Sequence, residues 1–270
     1  MKLQKRNAYP LQGKTVLITG VSRRAGIGYA IAKQCAAYGA SIMIQHFRTH
    51  DEEQEWGADH LEAVIAGIQQ EMTPRAQFGH YHSNFLQEDS AETLIKTVVK
   101  EHDAIDGIVC NHARSGGDGP LGNLTAQMLD NHWKVNTRSS VLLAQAFAEQ
   151  YDPTRGRGKI IFMTSGQRQG PMPGEVAYAL AKGALADITL TLADQLADQN
   201  ICVNTVNPGP VNTGYLNDQL WEETRTKFPF DRFGEPEDPA RLISWLLTEE
   251  ASWITGQIMN TEGGFARWRS

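Results

Sequence analysis

The sequence predicts an α/β protein built as one doubly wound parallel sheet with helices on both faces, a single domain over 1–270. Three observations carry this. Short apolar runs alternate with segments of helical periodicity along nearly the whole chain, a glycine-rich turn joins the first apolar run to the first helix, and no repeat, low-complexity tract or linker interrupts the alternation. With 270 residues, 41% of them hydrophobic, the chain can bury a substantial core in one such domain.

The net charge of -6 and pI near 5.8 argue against a nucleic-acid or anionic-membrane partner, since either calls for a basic stripe. No run of 18 apolar residues is present to span a bilayer. Residues 1–12 read as a polar arm without the apolar core of a signal peptide. Cys35, Cys110 and Cys202 lie far apart in apolar segments with no metal or redox spacing, which fits a reducing cytoplasm.

In chain order, Lys14 to Thr19 is a strand, GVSRRAGIG the glycine-rich turn, and Tyr29 to Tyr38 a helix. A strand, such a turn and a helix form a phosphate cradle: Gly20, Gly26 and Gly28 permit close backbone approach, and the helix N-terminus faces the anion. Ser22, Arg23, Arg24 and Ile27 belong to this loop. The second strand, Ser41 to Phe47, ends where a dinucleotide's adenosine ribose should sit, and His46 and Arg48 stand there instead of an acid. Arg48 with Arg23 and Arg24 would converge on a 2′-phosphate, favouring NADP (as NADPH) over NAD unless these arginines are only solvated.

Apolar residues at helical spacing from Leu61 to Met72 predict one long crossover helix over Glu52–Met72. Gln77 to Ser83 is the third strand; Asn84 and Phe85 at its end would lie over the adenine, and His80 and His82 on one strand face lack a third ligand for a metal. A helix over Ser90–Glu101 leads to strand Ile105–Cys110, whose end places Asn111, His112 and Ala113 at the ligand side. Leu124 to Gln150 reads as one long helix in which Asn136 is either a solvent-facing amide or a functional one. Strand 160–164, a helix to about Gln199, strand Ile201–Val206 and the chain-breaking NPGPVNTG follow, with Pro208, Gly209, Val211 and Thr213 again at the ligand side.

Chemistry is concentrated in SGQRQGPMPGEVAYALAK. On a helix, Tyr178 and Lys182 are i and i+4 neighbours on one face, so an ammonium beside a phenol would lower the phenol's pKa and give a proton donor and acceptor near neutral pH. Ser165, just past the strand, would hydrogen-bond the same substrate oxygen.

Together TGVSRRAGIG, CNHA, Asn136, Ser165, YALAK, NPGPVNT, RFGEPEDPA and TGQIMNTEGG resemble the short-chain dehydrogenases/reductases, in the branch that includes 3-oxoacyl-carrier-protein reductases, over Leu11 to Phe265. The resemblance implies a Rossmann-type domain that reduces a ketone, such as a 3-oxoacyl thioester. Tyr178 would protonate the carbonyl oxygen, Lys182 tune the tyrosine and hold the cofactor ribose, Ser165 orient the carbonyl, and Asn136 position a relay water. The backbone near Val211 would meet the carboxamide and Thr213 the pyrophosphate. It also implies homotetramers or homodimers formed through 124–150, 177–199 and the C-terminal strand, where Trp245, Trp253 and Trp268 fit a core or an interface.

Departures from the family pattern matter too. The glycine loop is two residues longer than usual, Arg114 stands where a glycine is usual and is expected to face the substrate, and Asn84 replaces an aspartate. Residues 213–232, with Tyr215, Leu216, Trp221 and Phe228, should form the substrate lid, with Gln167, Arg168 and Glu175 on the other side. An NAD-linked alcohol dehydrogenase running in oxidation is the alternative, and a non-catalytic dinucleotide sensor a further one. In the related enoyl reductases six residues separate the tyrosine and lysine, against three here.

Overall fold

The computed structural model describes residues 7–215, 218–266 and 268. Its sheet has seven parallel strands in the order β3-β2-β1-β4-β5-β6-β7: β1 Thr15–Ile18, β2 Ser41–His46, β3 Phe78–His82, β4 Gly107–Cys110, β5 Gly158–Met163, β6 Ile201–Asn207 and β7 Ile258–Asn260. The strand order reverses between β1 and β4, which opens a crevice at their C-terminal ends.

Alternation along each strand explains the two helical layers. Val16 and Ile18, Ile42 and Ile44, and Ile161 and Met163 point to one face, where they meet α1 (Ile27–Ala37), α3 (Leu61–Gln69) and α9 (Glu237–Leu246). Leu17, Met43, Ile160 and Phe162 point to the other, against α4 (Ser90–His102), α6 (Ser139–Gln150) and α7 (Val176–Ala197). β4, β5 and β6 are buried along their whole length, as strands covered on both faces must be.

Two expected helices differ. In place of one helix over 52–72, the chain forms a short α2 (Arg48–Glu52), a turn-rich stretch, and then α3. The stretch 52–60 has no apolar stripe to bury, and Gly57 at φ 66 breaks the helical path. The helix expected over 124–150 is continuous only through a change of winding: α5 (Ala126–His132), a π-helical segment Trp133–Arg138, and α6. The Thr125 hydroxyl caps its start, accepting from the Met128 N–H at 3.2 Å.

The 22-residue α7 is apolar and long enough to cross a membrane by length and composition, which counting uninterrupted apolar runs overlooked. Here it lies on the sheet, burying Ala181, Lys182, Leu185 and Thr189 beside β6, and leaves Leu180 and Leu190 exposed.

Candidate active site

A cavity of about 920 Å³ opens at the carboxyl ends of the strands. The glycine-rich loop, the ends of β2 to β6, the first turn of α7, and α8 (Asp218–Arg225) with its flanking loops enclose it. The structure brings most of the expected residues to this one place.

Ser165 and Tyr178 both line the cavity. Lys182 stands one turn along α7, its Nζ 5.8 Å from the centre of the Tyr178 ring, buried and donating to the Met163 carbonyl at 2.9 Å. Its effect on the phenol differs from the expectation. Burial pushes Tyr178 up to about 12, with the Glu175 charge adding and a hydrogen bond with Ser165 opposing, while burial pushes Lys182 down to about 8. Lys182 is not among the groups that shift the phenol, and burial holds it protonated at neutral pH. That state suits a proton donor.

Asn136 sits on the π segment and is fully buried, so it is no solvent-facing amide. Its Oδ1 accepts from the Arg114 N–H at 2.6 Å and its Nδ2 donates to the Arg114 carbonyl at 3.1 Å. The side-chain amide is thus engaged in holding the loop after β4. Asp118 of that loop accepts from the N–H groups of Ala177 and Tyr178, at 2.9 and 2.7 Å, capping α7 where the tyrosine sits. Sequence reasoning missed Asp118; an acidic residue in a glycine-rich loop gives no sign of which helix it caps.

The glycine-rich turn fits a dinucleotide on backbone grounds. Gly20 has φ +72, and a Cβ there would meet the His112 Cα at 2.6 Å; one on Gly28 would meet the Asn111 Nδ2 at 2.6 Å. Asn111 in turn donates to the carbonyls of Thr19 and Gly20 at 3.0 and 3.2 Å, locking β4 against the turn. Gly20, Ser22, Arg23, Gly26, Ile27, Asn84, Phe85, Asn111, His112 and Ala113 line the cavity, as do Pro208, Gly209, Val211 and Thr213. His112 is buried between Thr19, whose hydroxyl meets its Nδ1 at 2.6 Å, and the π segment, where its Nε2 meets the Ser139 hydroxyl at 2.7 Å. Burial, with the Lys182 charge adding, pushes it down to about 3, so it is neutral.

The expected convergence of three arginines does not occur. Arg23 faces Asp51 at 4.0 Å, its guanidinium lies 5.5 Å over the Trp56 ring and it donates to the Thr213 carbonyl. Arg24 turns outward to Asp59 at 3.4 Å, and Arg48 pairs with Glu52 at 3.0 Å one helical turn away; neither lines the cavity. Local carboxylates, Asp51 and Glu52 of α2 and Asp59 of the turn-rich stretch, claim each cation separately. His46 is also off the cavity, stacked on His80 with centroids 5.7 Å apart and edge-on to His82 at 5.9 Å. What sequence reasoning missed is that 47–59 forms a strap: Phe47, His50, Asp51, Gln54 and Trp56 wall the cavity, and Asp51 binds the Ser22 hydroxyl and the Trp56 indole N–H.

Of the expected substrate contacts, Arg114, Glu175 and Tyr215 line the cavity. Gln167, Arg168 and Trp221 do not: Gln167 donates to the Thr164 hydroxyl at 2.9 Å, Arg168 pairs with Asp187 at 3.5 Å, and Trp221 stacks on Phe233 at 5.7 Å. Each satisfies a nearer partner. Gln169, Met172, Lys227 and Phe265 take those places on the wall. Leu216 of the expected lid lies outside the described residues.

Comparison with known proteins agrees with this geometry. A family model described as enoyl-(acyl carrier protein) reductase matches residues 20–266. An uncharacterized oxidoreductase of Bacillus subtilis, YjdA, is 38% identical over 257 residues, covering 95% of this chain and 98% of its own. Dehydrogenase/reductase SDR family member 4 of Homo sapiens is 30% identical over 261 residues, covering 94% and 88%. A solved structure described as the promiscuous reductase LugOII, which catalyses keto-reduction at C1 during lugdunomycin biosynthesis, superposes with a TM-score of 0.81 at 29% identity, covering 94% of this chain and 98% of that one.

Proposed function

Because the chain belongs to the short-chain dehydrogenase/reductase family of NAD(P)-dependent oxidoreductases, we propose that it is an NADPH-dependent reductase converting a ketone, such as a 3-oxoacyl thioester, to a secondary alcohol. A bound nicotinamide cofactor supplies the hydride. The chain's residues do the rest. Ser165 donates a hydrogen bond to the carbonyl oxygen, and the Tyr178 hydroxyl gives that oxygen its proton as the carbon is reduced, leaving a phenolate that regains a proton from water. Gly20, Gly26 and Gly28 with the backbone of 208–213 hold the cofactor, and Lys182 behind the tyrosine stabilises the phenolate.

The observation that carries this reading is a tyrosine kept protonated at the cavity wall, next to a serine hydroxyl and backed by a buried lysine. The LugOII precedent supports keto-reduction. Titration with NADPH and NADH separately, followed by NADPH oxidation with a panel of ketones, tests it. The expected outcome is NADPH binding at least about tenfold tighter, ~1.4 kcal/mol, and turnover that Tyr178→Phe lowers by about 10² or more. NADPH binding without turnover across the panel would return the chain to the class of dinucleotide sensors.

One observation favours a second reading, an NAD-linked alcohol dehydrogenase. Arg23, Arg24 and Arg48 each already face a carboxylate, so none stands bare for a 2′-phosphate. For assembly, we propose a homodimer or homotetramer joined through α7 and the helix before it. Leu180 and Leu190 of α7 and Trp133 of the π segment expose 61%, 68% and 48% of their surface, and such aliphatic and aromatic exposure on helices suits an interface. A cytoplasmic location fits three free, buried cysteines.

A further inference from the structure

Arg114 carries a positive charge to the cavity wall, and among the described residues no carboxylate lies within ion-pair distance of it. The other arginine on that wall, Arg23, is answered by Asp51. The Arg114 Nε is buried and without a hydrogen-bond partner. Its backbone is fixed, both N–H and C=O being bonded to the Asn136 amide, so the side chain leaves from a rigid point beside the π segment. A guanidinium nitrogen lies 3.4 Å from where a Cβ on Gly117 would stand, an ordinary contact distance, so the side chain folds back along its own loop.

The position is close to the chemistry. Arg114 acts electrostatically on both His132 and His50, which are held below the ordinary histidine value, by burial first. His132 meets the Tyr178 ring edge-on with centroids 6.2 Å apart, while His50 belongs to the strap. The guanidinium therefore shares one cavity wall with Tyr178 and the strap. Lys227 also lines the cavity, with no carboxylate in ion-pair distance among the described residues.

An unpaired, partly desolvated guanidinium costs free energy that a planar oxyanion offsets, because its donor fork matches a carboxylate or phosphate bidentately. We propose that Arg114 is the specificity residue of this site and that the substrate is an anionic ketone, one bearing a carboxylate or phosphate that pairs with this guanidinium. The proposal rests on the carbonyl-reductase reading above. The cofactor's pyrophosphate offers the same oxyanion chemistry, and the experiment separates the two sources.

Wild type and Arg114→Gln are compared on 4-oxopentanoate and its uncharged methyl ester, on NADPH binding by calorimetry, and on binding of glutarate, a non-reducible dicarboxylate, to the NADP-loaded protein. The expected result is a preference of about tenfold or more in kcat/KM for the acid over the ester, abolished in Arg114→Gln, with ester turnover and NADPH affinity each held within about threefold. Retained ester turnover shows that the variant folds. Arg114→Lys keeps the charge without the fork and should recover only part of the preference. Equal wild-type rates on acid and ester overturn the proposal, as does an equal loss on both in the variant. A loss of NADPH affinity of about tenfold assigns the charge to the cofactor and overturns it too. If neither ketone is reduced, glutarate decides. Binding that requires Arg114 upholds the anion site and leaves the reductase reading to the wider ketone panel, and binding that is absent or indifferent to Arg114 overturns the anion site.

Discussion

The backbone N–H of Tyr178 donates to the Asp118 carboxylate at 2.7 Å, joining the loop after β4 to the first turn of α7. The same carboxylate accepts from Ala177 at 2.9 Å and from Gly119 at 2.7 Å. One side chain thus fixes both the start of α7 and the loop that carries Arg114. It acts on the chemistry by placing the tyrosine.

Replacing Asp118 with alanine should therefore cost both stability and rate. A lost helix cap is worth about 1–2 kcal/mol, and kcat should fall about tenfold with cofactor affinity unchanged, since only the tyrosine is displaced. Asp118→Asn keeps an acceptor oxygen and should lose less than half as much. Burial pushes the carboxyl up, but the N–H groups of Tyr178, Ala177 and Gly119, with His132, more than reverse it, so its folded pKa lies below the ordinary value. Its contribution is therefore present above about pH 4 and lost as pH falls through the folded value. Denaturant midpoints and kcat for the two variants check this.

His112 sets a second acid sensitivity. Burial and the Lys182 charge push it down to about 3, against about 6.5 for an exposed imidazole. The unfolded chain binds a proton in that window and the folded one does not, so stability is complete above about pH 6.5 and declines toward pH 3. The expected loss from this residue is about 2 kcal/mol by pH 5. His46, pushed down to about 4 by burial first, adds in the same direction. In His112→Asn the difference in unfolding free energy between pH 7 and pH 5 should shrink by roughly that 2 kcal/mol; an unchanged slope would refute the assignment.

Most of the fold was legible because its signals are local: apolar runs marked six of the seven strands, all but the three-residue β7, and the glycine turn located the crevice. Ser165 and Tyr178 were legible for the same reason, being placed by one strand end and one helical turn. What escaped depends on contacts distant in sequence. The tyrosine's pKa follows from burial and from Glu175, which i,i+4 spacing to a lysine cannot report. The three arginines look like one phosphate site in the sequence because nothing local shows that Asp51, Glu52 and Asp59 each pair with one of them.

The strap yields a third prediction. Asp51 holds the Ser22 hydroxyl and the Trp56 indole, and Trp56 lies under the Arg23 guanidinium. Asp51→Ala frees the strap from the glycine loop, so NADPH should bind about 3–10-fold more weakly, chiefly through faster dissociation, while KM for a neutral ketone changes by less than about twofold. Stopped-flow recording of cofactor release, read by Trp56 fluorescence, measures this. An unchanged dissociation rate would show that the strap does not retain the cofactor.

The choice between NADPH and NADH turns on Arg48 and Glu52. Their ion pair spans 3.0 Å on one turn of α2, with side chains 34% and 50% exposed, a setting in which such a pair contributes only about 0–1 kcal/mol. The Arg48 Nε is buried and unbonded, so the guanidinium still has a donor to offer. A 2′-phosphate, with more charge than one carboxylate and three acceptor oxygens, can displace Glu52. If it does, Glu52→Gln removes a competitor, and NADPH should bind up to about fivefold tighter, equivalent to ~1 kcal/mol, with NADH unchanged. Arg48→Asp should then reverse the preference, repelling the phosphate while accepting from a ribose 2′-hydroxyl. Paired titrations of both variants with both cofactors decide it. If neither substitution moves the NADPH:NADH ratio, Arg48 has no part in cofactor choice and the NAD-linked oxidation becomes the better reading of the site.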